Sequence, residues 1–197
     1  MDRLLAGYQR FLSDVWPEER SRYEALAKSG QTPEVMIISC CDSRVDPQTI
    51  FGASPGELFV VRNVAGLVPP YAPDARYHGT SAALEFGVRV LKVRRIVVLG
   101  HALCGGVRTI VEGAPEAAQE FVLPWMEIAR PALPTARAHE EHESYLYRCE
   151  TSVVRISMSN LMTFPWIGKA VTAGLLAVEG YRFDIRSGEL VSVQAVT

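Results

Sequence analysis

Apolar residues along the chain recur with two different periods, which predicts alternating helices and strands. Apolar residues at helical spacing predict four helices, at residues 3–13, 17–28, 80–91 and 140–161. Short continuous apolar runs are typical of strands buried on both faces, and they occur at residues 35–38, 58–61 and 95–99. Because strands alternate with helices along the chain, we expect a parallel sheet joined by crossovers.

The C-terminal stretch has a different pattern. Two apolar segments flank Arg186-Ser187-Gly188-Glu189, as in two strands joined by a tight turn. The sequence thus predicts an α/β fold with a central, mostly parallel sheet flanked by helices, extended N-terminal helices and a C-terminal β-hairpin. At 197 residues, without repeats or an obvious linker, the chain is expected to form a single domain over residues 1–197.

Composition narrows the possible partners. Hydrophobic residues make up 48% of the chain, yet no run approaches the eighteen or so apolar residues of a membrane span, so no membrane association is expected. The net charge is −2 and the basic cluster Lys92, Arg94 and Arg95 is short, so no nucleic-acid partner is expected. The first twenty residues lack a signal-peptide core, which predicts a cytoplasmic protein.

Two cysteine motifs are the candidate chemistry. In a reducing compartment, thiols are more often metal ligands, catalytic groups or buried small hydrophobes than disulfide partners. CCDSRVD covers residues 40–46 and GHALCGG covers residues 100–106, and each follows a predicted strand. Open parallel sheets place their ligand sites at the carboxyl ends of strands, so both motifs are expected at one site.

The strand pleat separates the two adjacent thiols. If the end of the first strand stays extended, Cys40 and Asp42 share one face and Cys41 points to the other. Cys40 is then the candidate ligand. Cys41 is expected to be a packed core thiol, because free cysteine is commonly buried.

His101 and Cys104 bracket a glycine-rich turn from strand to helix, where an imidazole and a thiolate can converge. Together with Cys40 they make a Cys2His set. Three protein ligands leave a tetrahedral zinc ion with one open position, which is the catalytic arrangement. A structural site would need a fourth ligand; Cys149 is available, but it has no partner at ligand spacing.

The combination of Cys-x-Asp-Ser-Arg with His-x-x-Cys-Gly resembles the β-class carbonic anhydrases, in their plant-like branch. The segments PGELFVVRNVAGLVPPY, HGTSAALEFGV and SGEL extend the resemblance over nearly the whole chain. It implies reversible hydration of CO2 to bicarbonate and a proton by a zinc-bound hydroxide. By the match, Cys40, His101 and Cys104 are the ligands of one Zn2+ per subunit, and Asp42 and Arg44 form the family's Asp–Arg dyad.

The resemblance also implies a substrate pocket for CO2 and bicarbonate and a homo-oligomer, at least a dimer. Its substrate-binding positions are Gln31, Phe59, Val64, Tyr77 and Gly105, with Gln31 and Tyr77 near the zinc of a neighbouring subunit. Residues 1–30 correspond to a helical arm that packs on that neighbour.

The other branch of the family has an inhibitory bicarbonate site made of a tryptophan, an arginine and a tyrosine. Arg62 matches its arginine, but Ile37 and Phe183 stand at the other two positions and offer no hydrogen bond. We therefore expect no bicarbonate inhibition of that kind.

Three other functions are compatible with parts of the sequence. A hydrolase of CS2 or COS would use the same fold and site. A non-catalytic zinc or redox module would use Cys40 and Cys41, but it leaves Asp42 and Arg44 without a role. A cysteine phosphatase is disfavoured, because only three residues separate Cys104 from Arg108.

Overall fold

The computed structural model describes residues 2–195, and these contain one five-stranded sheet with the strand order β2-β1-β3-β4-β5. The first four strands are parallel and β5 pairs antiparallel with β4. The mostly parallel sheet and the C-terminal hairpin are therefore confirmed. The strands are β1 Val35–Cys40, β2 Leu58–Asn63, β3 Arg95–His101, β4 Ala177–Phe183 and β5 Leu190–Val193.

The N-terminal region is helical throughout, where the sequence predicted two separate helices. Helix α1 (Asp2–Arg10) continues through a π turn (Phe11–Val15) into α2 (Trp16–Ser29). Pro17 cannot donate a backbone hydrogen bond, and the wider π turn immediately before it lets the helix continue without a break. None of the residues of α1 or α2 is buried within this chain.

The remaining helices connect the strands and cover the sheet. The helix predicted at 80–91 is α4, which ends in a π turn at residues 86–90, and the one predicted at 140–161 is α7. No helix among residues 2–195 is long and apolar enough to cross a membrane. The helices after α2 are α3 Pro47–Phe51, α4 Gly79–Glu85, α5 Gly105–Glu112, α6 Val122–Met126, α7 His142–Thr163 and α8 Pro165–Thr172.

Helix α7 packs on the sheet across β3 and β4, and two glycines allow the close approach. A Cβ atom on Gly100 would lie 2.5 Å from Val154 Cγ2, and one on Gly180 would lie 2.8 Å from Val154 Cγ1. Both distances are too short for real carbon contacts, so these strand positions require glycine for α7 to lie where it does.

The buried core extends to the carboxyl edge of the sheet. One apolar cluster joins the middle of β1 and β3 to α7 and α8, with Met36, Ile96 and Leu161 among its members. A second cluster lies at the carboxyl ends of the strands and includes Cys40 and Cys104. Cys40 and Cys104 therefore lie in a packed, water-poor environment.

Candidate metal centre

Cys40, His101 and Cys104 come together at the carboxyl ends of two neighbouring strands. Cys40 is the last residue of β1, His101 is the last residue of β3, and Cys104 immediately precedes α5. Their potential ligand atoms all lie within 4.8 Å of one another. The residues are 5%, 2% and 2% exposed, respectively. The structure thus assembles the three side chains that the sequence predicted as ligands.

The ring of His101 is oriented by the backbone beside it. Its Nδ1 lies 2.8 Å from the carbonyl oxygen of Ala102, so Nδ1–H donates and the lone pair is on Nε2. Nε2 is buried and has no hydrogen-bond partner among the described residues. A buried imidazole nitrogen without a partner is costly unless it binds something, and metal-bound histidines commonly have their other nitrogen fixed in this way.

The pKa values of the two buried thiols, Cys40 and Cys104, are shifted in opposite directions. A hydrogen bond from Cys104, together with the nearby ring of His101, lowers the pKa of Cys40 to about 4 although burial opposes the charge. The same hydrogen bond to Cys40 raises the pKa of Cys104, while the amides of Val107 and Gly106 at the start of α5 act in the opposite direction. The site therefore stabilises a thiolate even before a cation is bound.

The electrostatics of His101 follow from the same cluster. Burial disfavours its charged form, but the negative charge of the adjacent Cys40 thiolate outweighs burial and raises the pKa of His101. Two sulfur donors and one imidazole nitrogen, all buried and converging, are the donor set that Zn2+ prefers. These residues fit a zinc ion.

Asp42 and Arg44 form the pair that the resemblance implied. Arg44 Nε donates to Asp42 Oδ1 at 2.9 Å, and Arg44 Nη2 donates to Asp42 Oδ2 at 2.7 Å. These bonds hold the pKa of Asp42 well below its usual range, so the carboxylate stays ionised. Arg44 Nη2 also donates to the carbonyl of Leu103 at 3.2 Å and so ties the loop after β1 to the turn after β3.

Arg62 holds the loop that carries Cys40 and Asp42. Its guanidinium donates to the carbonyl oxygens of Cys40 at 3.0 Å, of Asp42 at 2.7 Å and of Val45 at 2.9 Å. Ile37 is buried in the apolar core. The absence of bicarbonate inhibition stays a prediction.

Two of the predicted pocket residues line one cavity beside β2. Val64 and Tyr77 belong to the walls of a cavity of about 920 Å3, which are mainly apolar and include Trp125 and Phe121. Trp125 Nε1 donates to the carbonyl of Val64 at 2.8 Å and so fixes this wall. Tyr77 is fully exposed within the single chain.

The other predicted pocket residues lie apart from that cavity within one chain. Phe59 packs against the core and against Phe86, with 6.0 Å between the ring centroids. Gln31 is exposed in the segment between α2 and β1. Gly105 is exposed as the first residue of α5, with open space around the position of a Cβ atom. Their roles in substrate binding stay predictions.

The prediction that Cys41 is a core thiol is wrong. Cys41 is exposed and lines the cavity that contains Val64 and Tyr77. The sheet edge at this point faces the cavity rather than a helix, so its thiol is not covered. Cys149 is buried in α7. It is not part of the metal-binding group that the described residues form, which consists of Cys40, His101 and Cys104.

Sequence reasoning missed a buried ion pair beneath the site. Glu150 of α7 and Arg182 of β4 lie 2.7 Å apart, and Glu150 also contacts the amide of Cys104. The signal was present, since Glu150 is an acid on the apolar face of the helix predicted at 140–161. Its partner Arg182 is distant in sequence, and the sequence alone gives no signal that pairs the two residues.

Comparisons with known proteins agree with this site. The family model described as carbonic anhydrase matches residues 35–190. The chain is 33% identical over 194 residues to beta carbonic anhydrase 3 of Arabidopsis thaliana, an alignment that covers 95% of this chain and 74% of that relative.

Solved structures give the same result. The β-carbonic anhydrase CcaA superposes with a TM-score of 0.88 at 31% identity, covering 98% of this chain and 86% of that chain. A tetrameric β-carbonic anhydrase from Sordaria macrospora has a TM-score of 0.85 at 27% identity, covering 100% and 98% of the two chains. Together with the buried Cys2His group and the Asp42–Arg44 pair, these likenesses show that the chain belongs to the carbonic anhydrase family of enzymes, in its β class.

Proposed function

We propose that the chain catalyses the reversible hydration of CO2 to bicarbonate and a proton, with one Zn2+ held by Cys40, His101 and Cys104. The observation that carries the proposal is the buried convergence of these three side chains next to an ionised Asp42. Bound there, zinc would lower the pKa of a water ligand toward 7 and supply a nucleophile near neutral pH.

Asp42 and Arg44 would orient the reacting water. An ionised carboxylate accepts hydrogen bonds but cannot donate one, so Asp42 would fix the direction of the water's O–H group. The two hydrogen bonds from Arg44 fix the carboxylate in turn. Arg44 is half exposed, with 51% of its side chain accessible, and so it is free to move more than the buried ligands are.

The apolar cavity suits a small substrate without charge. Val64 and Trp125 present apolar surface, and CO2 needs no hydrogen-bond partner to enter such a space. In our proposal, Gln31 and Tyr77, both exposed in the single chain, complete the pocket of a neighbouring subunit.

A homo-oligomer is supported by the tetrameric relative from Sordaria macrospora and by the exposed N-terminal helices. Leu4, Leu5, Tyr8, Leu12 and Val15 recur at helical spacing on α1 and the π turn, and all are exposed. A continuous apolar stripe of this kind is typical of an interface. We propose that residues 1–30 pack on a neighbouring subunit. A cytoplasmic location stays a prediction.

Stopped-flow hydration of CO2 by the zinc-loaded protein at pH 7 and pH 8.5 tests the function. Cys40→Ser is expected to abolish both zinc binding and rapid hydration. Cys41→Ser changes the adjacent exposed thiol, which is not part of the metal-binding group, and is expected to keep zinc binding. Thiolate ligands would place more negative charge on the metal than imidazoles do, which would raise the pKa of its water ligand. Activity is therefore expected to be higher at pH 8.5 than at pH 7.

The result contrary to the proposal is zinc-loaded protein that does not hydrate CO2 at either pH. Assays with COS and CS2 would then separate a hydrolase on the same fold from a site that only binds metal.

A further inference from the structure

The turn between β3 and α5 carries both His101 and Cys104, and each side of it is tied to a different element. Leu103 adopts a positive φ of 57°, which is unfavourable for a leucine, so the turn needs external support. The Ala102 amide donates to the carbonyl of Phe183 at 2.8 Å on β4, and the Leu103 carbonyl accepts from Arg44. The Cys104 amide points the other way, toward α7.

Glu150 supplies the acceptor for that amide. Its Oε1 lies 3.4 Å from the Cys104 nitrogen, and its Oε2 accepts from Arg182 Nε at 2.9 Å and Nη2 at 2.7 Å. Both side chains of the pair are 4% exposed. One carboxylate therefore connects the backbone of a metal-binding residue to a buried arginine.

Arg182 is itself fixed from several directions. It pairs in register with Gly100, one position before His101. Its guanidinium lies over the ring of Tyr147, 4.2 Å from the centroid, and 3.6 Å from Asp184. The position of the Glu150 carboxylate is thus set by α7 and β4 together.

A contribution to folding stability does not explain the buried pair of Glu150 and Arg182. Buried ion pairs are costly to desolvate, and well-packed apolar residues in their place often leave stability unchanged or higher. Glu150 lies among apolar neighbours of α7 such as Val153 and Val154, where an apolar residue would pack without that cost. What an apolar residue could not do is accept a hydrogen bond from the Cys104 amide.

We propose that Glu150, held by Arg182, is a positioning residue that fixes the Cys104 turn and thereby aims the Cys104 thiolate at the point shared with Cys40 and His101. The proposal rests on the proposed zinc function. Groups that orient metal ligands commonly contribute a factor of about 10 to 100 in metal affinity.

The double variant Glu150→Leu/Arg182→Met separates positioning from folding. It leaves no unpaired charge, because Asp184 keeps its ion pair with Arg186 at 3.0 Å. We expect thermal unfolding of the metal-free protein to stay close to wild type. The zinc dissociation constant, measured by competition with a chromogenic chelator, should rise at least about 10-fold. The visible absorption of the Co2+-substituted protein should also change, since it reports ligand geometry.

A matched single substitution provides the control. Glu140→Gln breaks a similar carboxylate–arginine pair with Arg148, 2.5 Å apart, which has no contact with the metal-binding residues. Zinc affinity and the Co2+ spectrum should stay at wild-type values in Glu140→Gln, while Glu150→Gln should weaken zinc binding. If the double variant does not fold, the comparison of zinc affinity in these two glutamine variants decides whether Glu150 has a positioning role.

Wild-type zinc affinity and an unchanged Co2+ spectrum in the Glu150 variants would overturn this proposal alone. A wild-type chain that takes up no zinc would overturn the proposed function and this proposal with it.

Discussion

At the scale of single residues, each reactive side chain of the site is oriented by a second group. The Ala102 carbonyl fixes the ring of His101, and Arg44 fixes the carboxylate of Asp42. The thiolate of Cys40 is stabilised by a hydrogen bond from Cys104 and by the nearby ring of His101. Because His101 and Asp42 are each held by a group outside the metal-binding set, the geometry of the site depends on more than its three converging side chains.

Arg44→Ala tests whether Arg44 orients the carboxylate of Asp42. We expect zinc content to stay at one ion per subunit, because the three ligands are untouched. Turnover should fall about 100-fold, the usual effect of misplacing a catalytic group. Stopped-flow hydration and metal analysis measure the two quantities.

Arg89→Ala is the control for that substitution, since it removes an exposed arginine whose ion pair, with Glu85, lies outside the site. Full turnover in Arg44→Ala would show that Asp42 needs no arginine to be oriented.

At the scale of secondary structure, the site depends on the relation between the sheet and α7. Parallel neighbours end at the same edge, so β1 and β3 deliver Cys40 and His101 side by side. Helix α7 lies close enough to this edge for Glu150 to reach the Cys104 amide, and Gly100 permits that approach. The distance between a helix and a sheet is thus part of the site.

Gly100→Ala should lower the free energy of unfolding by about 1–3 kcal/mol, because the new methyl group would meet the stiff side chain of Val154. Urea unfolding of the metal-free protein measures the change. Gly7→Ala places the same methyl group on an open helix surface, with its nearest neighbour 3.8 Å away, and should be neutral or stabilising. Equal stability of the two variants would refute the close packing of α7.

The start of α7 should give the protein part of its acid sensitivity. Hydrogen bonds from Arg148 and from the Arg137 amide lower the pKa of Glu140 from 4.5 to about 2. A depressed carboxyl pKa stabilises the fold above pH 4.5, and this contribution is lost as the pH falls toward 2.

Glu140→Gln removes that titration. The difference in unfolding free energy between wild-type and variant metal-free protein should therefore be largest at pH 6 and smaller at pH 3. Urea unfolding at the two pH values measures it, and a difference that does not change with pH would contradict the assignment.

At the scale of the whole molecule, the single chain leaves an apolar stripe and a large cavity uncovered. Leu4 is 76% exposed and Phe121 is 81% exposed, which is unusual for large apolar side chains in a finished assembly. The stripe lies on the N-terminal helices and the cavity lies beside the metal centre. A neighbouring subunit would cover such surfaces, and we expect the assembled enzyme to be the active form.

Leu5→Glu/Leu12→Glu should dissociate the oligomer, because both leucines lie on the exposed stripe and charges there would be buried at an interface. Light scattering after size-exclusion chromatography measures the mass of the oligomer. The rate of CO2 hydration should fall when the oligomer dissociates. Arg3→Glu/Arg10→Glu changes charge on the opposite, polar side of α1 and should keep the wild-type mass. A monomeric wild-type protein with full activity would refute the interface.

The sequence alone determined the mostly parallel sheet, its C-terminal hairpin, the long helices at residues 80–91 and 140–161, and the identity of the three converging side chains. Short apolar runs such as residues 95–99 are typical of strands buried on both faces, and neighbouring parallel strands end at one edge of the sheet. Local spacing then decides which face Cys40 and Asp42 share.

Only the tertiary structure decided what lies around those side chains. Exposure of Cys41 depends on which surfaces the chain leaves uncovered, and no local pattern specifies that. The pairing of Glu150 with Arg182 joins residues 32 positions apart in sequence, and it exists because α7 crosses β4 at that point. Periodicity fixes the direction of a side chain, whereas its partners depend on how distant elements pack.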